Sequence, residues 1–176
     1  IVLPLVLPPT VLGYYLLVSF GGASAIGQWV AEVFNVRLTF NFLGLVLASL
    51  VFNVPFLVLP VQRAFETIPR EFREASAVSG LTPWQTFWHV ELPLAWPGVL
   101  SAMVLTFVHT LGEFGVVLMI GGSIPGETKT VAIAIYDRVQ AFDLAGANRM
   151  ASLLLLLSLC AVAASFFASA RLSAKR

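Results

Sequence analysis

The sequence predicts an all-α integral membrane protein, a polytopic helical bundle, and three observations carry that class. Of its 176 residues, 59% are hydrophobic and only 11% charged. The mean hydropathy is +0.92. Four runs are each long enough to cross a bilayer core, which takes about 20 apolar residues. A soluble domain of this length needs far more charge to cover its surface. The net charge of +1 leaves no basic surface for nucleic acid. The single cysteine, Cys160, stands in an apolar run. It has no partner for an intrachain disulfide, and its thiol is expected to act as a small buried hydrophobe.

The membrane runs fall at residues 1–20, 38–61, 92–112 (with a possible extension to Ile120) and 150–170. Pro4, Pro8 and Pro9 interrupt the first. Proline frees backbone groups that neighbouring helices must satisfy, so this run is expected to be kinked and packed inside the bundle. The chain opens at Ile1, already inside a hydrophobic segment, with no basic n-region or small-residue cleavage site. A further membrane helix is therefore expected upstream.

Orientation follows from the cations beside the spans. Arg63, Arg70 and Arg73 lie between the second and third runs, and Arg171, Lys175 and Arg176 follow the last. Four crossings put both groups on one side, read as cytoplasmic. Arg37, Lys129, Arg138 and Arg149 fall on the other. On that outer side Ile26, Trp29, Val30, Val33 and Phe34 recur at helical spacing behind Ser24, a capping residue. This reads as a short amphipathic helix in the membrane interface. Ile124–Thr128 is a turn by composition. Val131, Ala132, Ile135, Tyr136 and Val139 form a second amphipathic helix.

The connection at residues 66–91 is the most informative. Pro69 suits the first turn of a helix over Arg70–Ser79, and Gly80 suits the left-handed residue that ends it. Thr82-Pro83-Trp84-Gln85 reads as a second start, with Thr82 as cap, Pro83 as first helical residue and Gln85 completing a capping box. Pro93 then marks the start of the next membrane run. Arg70 and Glu74 stand four apart and can pair. The loop is thus two short helices at an angle, held at the membrane surface.

Glu74-Ala75-Ser76, Gly80, Val90 and Leu92-Pro93 match the pattern E-A-A-x3-G-x9-I-x-L-P in register. That pattern resembles the permease subunits of ABC importers. Ser76 replaces the usual Ala and Val90 the usual Ile, both mild changes in size. The resemblance implies that this loop docks in a cleft of an ATP-binding subunit. Glu74, Ala75 and Gly80 would shape the element, and Pro83–His89, with Trp84, would be the inserted part.

Thr106, His109, Thr110 and Glu113 recur at i, i+3, i+4 and i+7 on an apolar helix. A charge at mid-membrane costs about 2.5–3.5 kcal/mol on insertion scales, so Glu113 is expected to face the bundle interior or an aqueous path, with His109 in reach to pair with it. Gly112 and Gly115 flank Glu113 and mark a place where the helix can bend. The stripe reads either as lining or gating a translocation path, or as polar groups satisfying one another between helices. A carboxylate is a poor anion ligand, so Glu113 suits a gate better than a cargo site. Leu111-Gly112-Glu113-Phe114-Gly115, Ile120–Thr130 and Pro4–Pro9 are similar to the oxyanion branch of these permeases. The Ile124-Pro125-Gly126-Glu127-Thr128-Lys129-Thr130 turn, with Ala134-Ile135-Tyr136-Asp137, is most similar to the molybdate and tungstate permeases. Sulfate permeases share the Gly-Glu-Phe/Tyr-Gly stretch and usually differ at the turn.

The resemblance implies a homodimer with its pathway at the two-fold axis, two ATP-binding subunits carrying ATP and Mg, and an extracytoplasmic oxyanion-binding protein. Closure of the ATPase pair would flip the path between inward-open and outward-open. The chain itself carries no Gly-rich Lys-Ser/Thr phosphate loop and no H-E-x-x-H metal site, so neither a cofactor nor catalysis is expected in it. Two other classes remain: a secondary carrier using His109 and Glu113 as a proton relay, which would usually show internal repeats, and an intramembrane hydrolase. The second lacks a G-x-S-x-G elbow or a nucleophile tied to His89 or His109.

Overall fold

The computed structural model describes residues 3–174, and every regular element among them is helical. In chain order they are α1 (Leu3–Val6), α2 (Pro9–Phe20), α3 (Ala25–Phe34), α4 (Phe42–Glu66), α5 (Arg70–Val78), α6 (Pro83–Thr86), a π-helical turn (Phe87–Glu91), α7 (Leu92–Leu111), α8 (Gly115–Gly121), α9 (Val131–Gln140) and α10 (Leu144–Ala174). Among the described residues three helices are long and apolar enough to cross a membrane: Phe42–Glu66, Pro83–Leu111 and Leu144–Phe167. The pair α2 and α3, bent by 56°, makes a fourth if it counts as one crossing. The protein is an all-α polytopic membrane protein.

Two compact units divide the chain. The first is Ile1–Pro55 with His109–Ser158, the second Phe56–Val108 with Leu159–Arg176. In the first, α2 packs on α8. Val116, Ile120 and Ile133 are fully buried. Leu45, Val117 and Ile133 form a core on which Phe114 and Leu118 pack. The expected run over 1–20 is broken: residues 1 and 2 lie outside the described residues, and α1 is a single turn. Pro8 is extended at φ −55° and ψ 136° before α2 starts with Pro9. A residue that precedes proline is pushed out of the helical region in this way. In α3, Ser24 caps as expected, accepting from the Gly27 N–H at 2.9 Å, and Trp29 is exposed.

In the second unit the helix expected to begin at Pro93 begins ten residues earlier. Pro83–Leu111 is one continuous helix, so the second loop helix is the leading end of the membrane span. Pro93 has no N–H to give the carbonyl four residues back. The π turn just before it absorbs that mismatch, with Leu92 N–H donating to Phe87 O, five residues back. Pro97 also lies inside the span. Cys160 corrects another expectation, since it is exposed on α10. A thiol is apolar enough to face lipid, so burial in protein is not required of it. Of the cations used for orientation, Lys175 and Arg176 lie outside the described residues.

Candidate functional site

The loop between α4 and the next span is built by two local devices. Pro69 stands just outside α5, as its N-cap, one position earlier than expected. At the other end Gly80 has φ +76°. Gly80 N–H donates to Ala77 O at 3.0 Å and Leu81 N–H to Ser76 O at 3.0 Å. This is the paired closure that a left-handed residue after a helix allows. Two residues on, Thr82 starts α6 with a complete capping box. Gln85 N–H donates to Thr82 Oγ1 at 3.3 Å, and Thr82 N–H donates to Gln85 Oε1 at 2.9 Å. Helix end, turn and helix start are thus all hydrogen-bonded, and the loop is an ordered elbow.

Its surface is unusual for a polar loop. Glu74 and Ala75 are exposed, and Ser76 is the one buried residue of α5. Val78 is 90% exposed and Trp84 70%, with Trp88 and Phe72 also open. Apolar side chains presented from an ordered polar element mark a surface that another body covers. Leu92 and Pro93 sit within the continuous helix, away from this elbow's tip. The expected Arg70–Glu74 pair is absent among the described residues. With the cation N-terminal to the acid, the pair has the weaker of the two helical orders. Arg73 instead pairs with Glu91.

The polar stripe on α7 is rearranged. The helix ends at Leu111, residues Gly112, Glu113 and Phe114 are non-helical, and α8 restarts at Gly115. Glu113 is buried, at 7% exposure, and its Oε1 accepts from Val116 N–H at 2.8 Å. The carboxylate is a cap on α8, where the exposed N–H groups and the helix dipole favour a negative group. The period of seven that aligned Glu113 with Thr106 and His109 therefore does not persist, because the backbone turns before Glu113. Gly115 makes the turn possible by close approach: a Cβ there would lie 2.9 Å from Pro9 Cβ. Phe114 packs its ring 5.0 Å from that of Tyr136.

His109 lies within electrostatic reach of Glu113 and also binds α4. Its Nδ1 donates to Asn53 Oδ1 at 3.1 Å, and its ring stacks on Phe52. Asn53 Nδ2 in turn donates to Ser49 O at 2.8 Å. Asn53 is a partner of His109 that reading the sequence passed over. Its signal was there: an amide near the middle of a 25-residue apolar helix, unlike Gln62 at its polar end, has to find polar partners inside the membrane. Thr106 Oγ1 donates to Ala102 O at 2.8 Å, within its own helix. Thr110 contributes its carbonyl to the Glu113 N–H at 3.2 Å.

The turn after α8 is locked by its polar side chains. Thr128 is buried, and its Oγ1 donates to Gly121 O at 2.5 Å. Lys129 pairs with Asp137 at 2.6 Å. The hydrogen bond from Lys129, with the charge of Lys129 and a second hydrogen bond from Ser123, holds the Asp137 carboxyl below its ordinary range. Asp143 accepts from Gly146 N–H at 2.9 Å, which caps α10. That bond and the Arg138 guanidinium hold its carboxyl low as well. No cluster of metal-ligating side chains occurs among the described residues.

The family model described as "binding-protein-dependent transport system inner membrane component" matches residues 1–176. The molybdenum transport system permease protein ModB of Azotobacter vinelandii is 49% identical over 158 residues, covering 90% of this chain and 70% of that protein. ModB of Escherichia coli K12 is 39% identical over 138 residues, covering 78% and 60%. The sulfate transport system permease protein CysT of the same organism is 36% identical over 157 residues, covering 89% and 56%. The chain thus spans between 56% and 70% of the length of these relatives. These likenesses run along nearly the whole sequence and set aside the hydrolase and secondary-carrier readings. The chain belongs to the binding-protein-dependent transport system inner membrane component family, as an integral membrane transport subunit and not an enzyme.

Proposed function

We propose that this chain is the permease domain of an ATP-driven importer of a tetrahedral oxyanion, molybdate or tungstate. Residues 1–176 act as one domain. Two copies form the translocation path, two ATP-binding subunits supply ATP and Mg, and an extracytoplasmic binding protein delivers the anion. The protein lies in the cytoplasmic (inner) membrane with the 66–91 loop and the C-terminus facing the cytoplasm.

The observation that carries this reading is the elbow at Gly80. It is ordered by its own hydrogen bonds, yet it leaves Val78 and Trp84 open to solvent. Glu74, Ala75, Ser76, Gly80, Thr82, Pro83 and Trp84 form the docking element, backed by Leu92 and Pro93. The residues Thr106, His109, Thr110 and Gly112–Gly115 belong to the path or its gate, with Glu113 shaping the bend. The molybdenum permeases among the relatives favour molybdate or tungstate as cargo, and the sulfate permease supports sulfate as the alternative.

Intact mass of the full-length protein, purified gently from its native membrane, tests the assembly. Two copies with two ATP-binding subunits support the reading, and a stable particle without an ATPase sinks it. In proteoliposomes holding the whole complex, unlabelled molybdate and tungstate should suppress labelled molybdate uptake far more than sulfate does. Equal suppression by sulfate would assign the chain to the sulfate branch.

A further inference from the structure

Helix α5 is poorly anchored by packing. Of its nine residues only Ser76 is buried. Its covalent link to α6 turns at Gly80, and the hydrogen bonds that order this turn are all local to it. An element with so few buried contacts is expected to move independently of the body it is attached to. For a docking element that is a weakness, since a push on α5 has to pass through this one turn to reach the membrane helix.

One side chain ties α5 to both the π turn and α4. Arg73, at mid-helix in α5, gives its Nε–H to Glu91 Oε1. Its Nη2 reaches the Phe65 carbonyl near the end of α4, at 3.4 Å. The Glu91 side chain is 18% exposed and that of Arg73 46%, so the carboxylate is shielded from water while the guanidinium is partly open to it. Glu91 is also the last residue of the π turn, where the extra residue per turn re-aims side chains. The same turn sets Phe87 flat against Phe65, with centroids 5.8 Å apart and planes 9° from parallel. The guanidinium therefore joins α5, the π turn and the end of α4 at one point.

We propose that Arg73 and Glu91 are positioning residues for transport: their ion pair is a strut that makes the α5–Gly80–α6 elbow and the start of the membrane span move as one body. The proposal rests on the importer reading for its consequence. A partner that displaces α5 turns the span through the strut, and without the strut Gly80 takes up the motion.

The test uses the full-length permease assembled with its ATP-binding subunits and binding protein in proteoliposomes, with molybdate as probe. Arg73→Glu and Glu91→Arg should each lower anion taken up per ATP hydrolysed by about fivefold or more, the lower bound of a typical coupling between sites. The double exchange should recover most of it. If a charge reversal fails to assemble, Arg73→Gln carries the test with the same expected direction. Uptake per ATP equal to wild type in the single variants, or a double variant no better than either single, overturns the strut. Hydrogen exchange of the 72–79 amides in the permease, in nanodiscs, reads the strut without transport. Protection should fall in each single variant and return in the double, and unchanged protection overturns the proposal. If the wild-type complex imports no oxyanion, the importer reading fails and hydrogen exchange alone decides whether the strut exists.

Discussion

His109 and Asn53, 56 residues apart in the chain, meet through a 3.1 Å hydrogen bond from Nδ1–H to Oδ1. The bond ties α7 to α4 at a depth where lipid offers no substitute partner. Interhelical hydrogen bonds in membranes average about 0.6 kcal/mol and reach about 1.7 kcal/mol. Asn53→Leu should destabilise the protein within that range, because it removes the acceptor and keeps the volume. His109→Ala also loses the stacking on Phe52, so it should cost more. A double-mutant cycle read by equilibrium unfolding in mixed detergent measures the coupling. Simple additivity of the two substitutions would show that the contact carries no energy.

Glu113 gives a sharper contrast between two substitutions. Its Oε1 accepts from the buried Val116 N–H. Glu113→Gln keeps an acceptor at that place and removes the charge, so thermal stability in detergent should stay near wild type. Glu113→Ala leaves a buried N–H unsatisfied, at a cost of about 1–3 kcal/mol. If Glu113→Gln preserves the melting temperature and lowers uptake, the charge itself acts in the path. If it lowers the melting temperature as much as Ala does, the carboxylate is there for packing, and its assignment to the gate is wrong.

Gly80 isolates backbone strain from sterics. A Cβ at this residue would meet nothing within 4 Å, so any penalty for a larger residue comes from its φ of +76°. For an L-residue that is about 1–2 kcal/mol, more for a β-branched one. Gly80→Val should therefore loosen the elbow and lower uptake per ATP hydrolysed, while Gly80→Asn, which tolerates the left-handed region, retains most of it. Uptake by the Val variant at the wild-type ratio would disprove the link between this turn and coupling.

The loop was legible in the sequence because its determinants are local. Pro69, Gly80 and the Thr82–Gln85 box each act within about one turn, and residue type alone nearly fixes their geometry. The stripe on α7 misled for the opposite reason. Thr106, His109, Thr110 and Glu113 fit a helical period, but whether the helix persists depends on Gly115 lying against Pro9, a contact between distant segments. Glu113 turned out to cap a separate short helix, where the hydropathy pattern offered only an extension of the same run to Ile120. Asn53 was visible as an amide amid apolar residues, but nothing near it in the chain pointed to His109. The π turn before Pro93 was likewise hidden, since proline is read as a boundary unless the preceding turn can widen.

The segment from the turn after α8 to the start of α10 should respond to acid in a way set by two carboxylates. Asp137 is held low by its bond to Lys129, and Asp143 by the Gly146 N–H and then by Arg138. A carboxyl whose folded pKa is depressed adds stability that is complete above its ordinary value of 3.8. That stability disappears as the pH falls through the lowered folded value, when the native state must take up the proton too. Hydrogen exchange of the 131–147 amides, compared at matched pH between the wild type and the double variant Asp137→Asn/Asp143→Asn, cancels the intrinsic rate. The wild type should be the better protected at about pH 6, and the difference should be smaller at about pH 3, below the ordinary carboxyl value, where the loss of this stability has begun. A difference of the same size at both pH values would mean that the aspartates act by shape and hydrogen bonding. The ionic contacts of Lys129 and Arg138 would then hold neither the turn nor the start of α10.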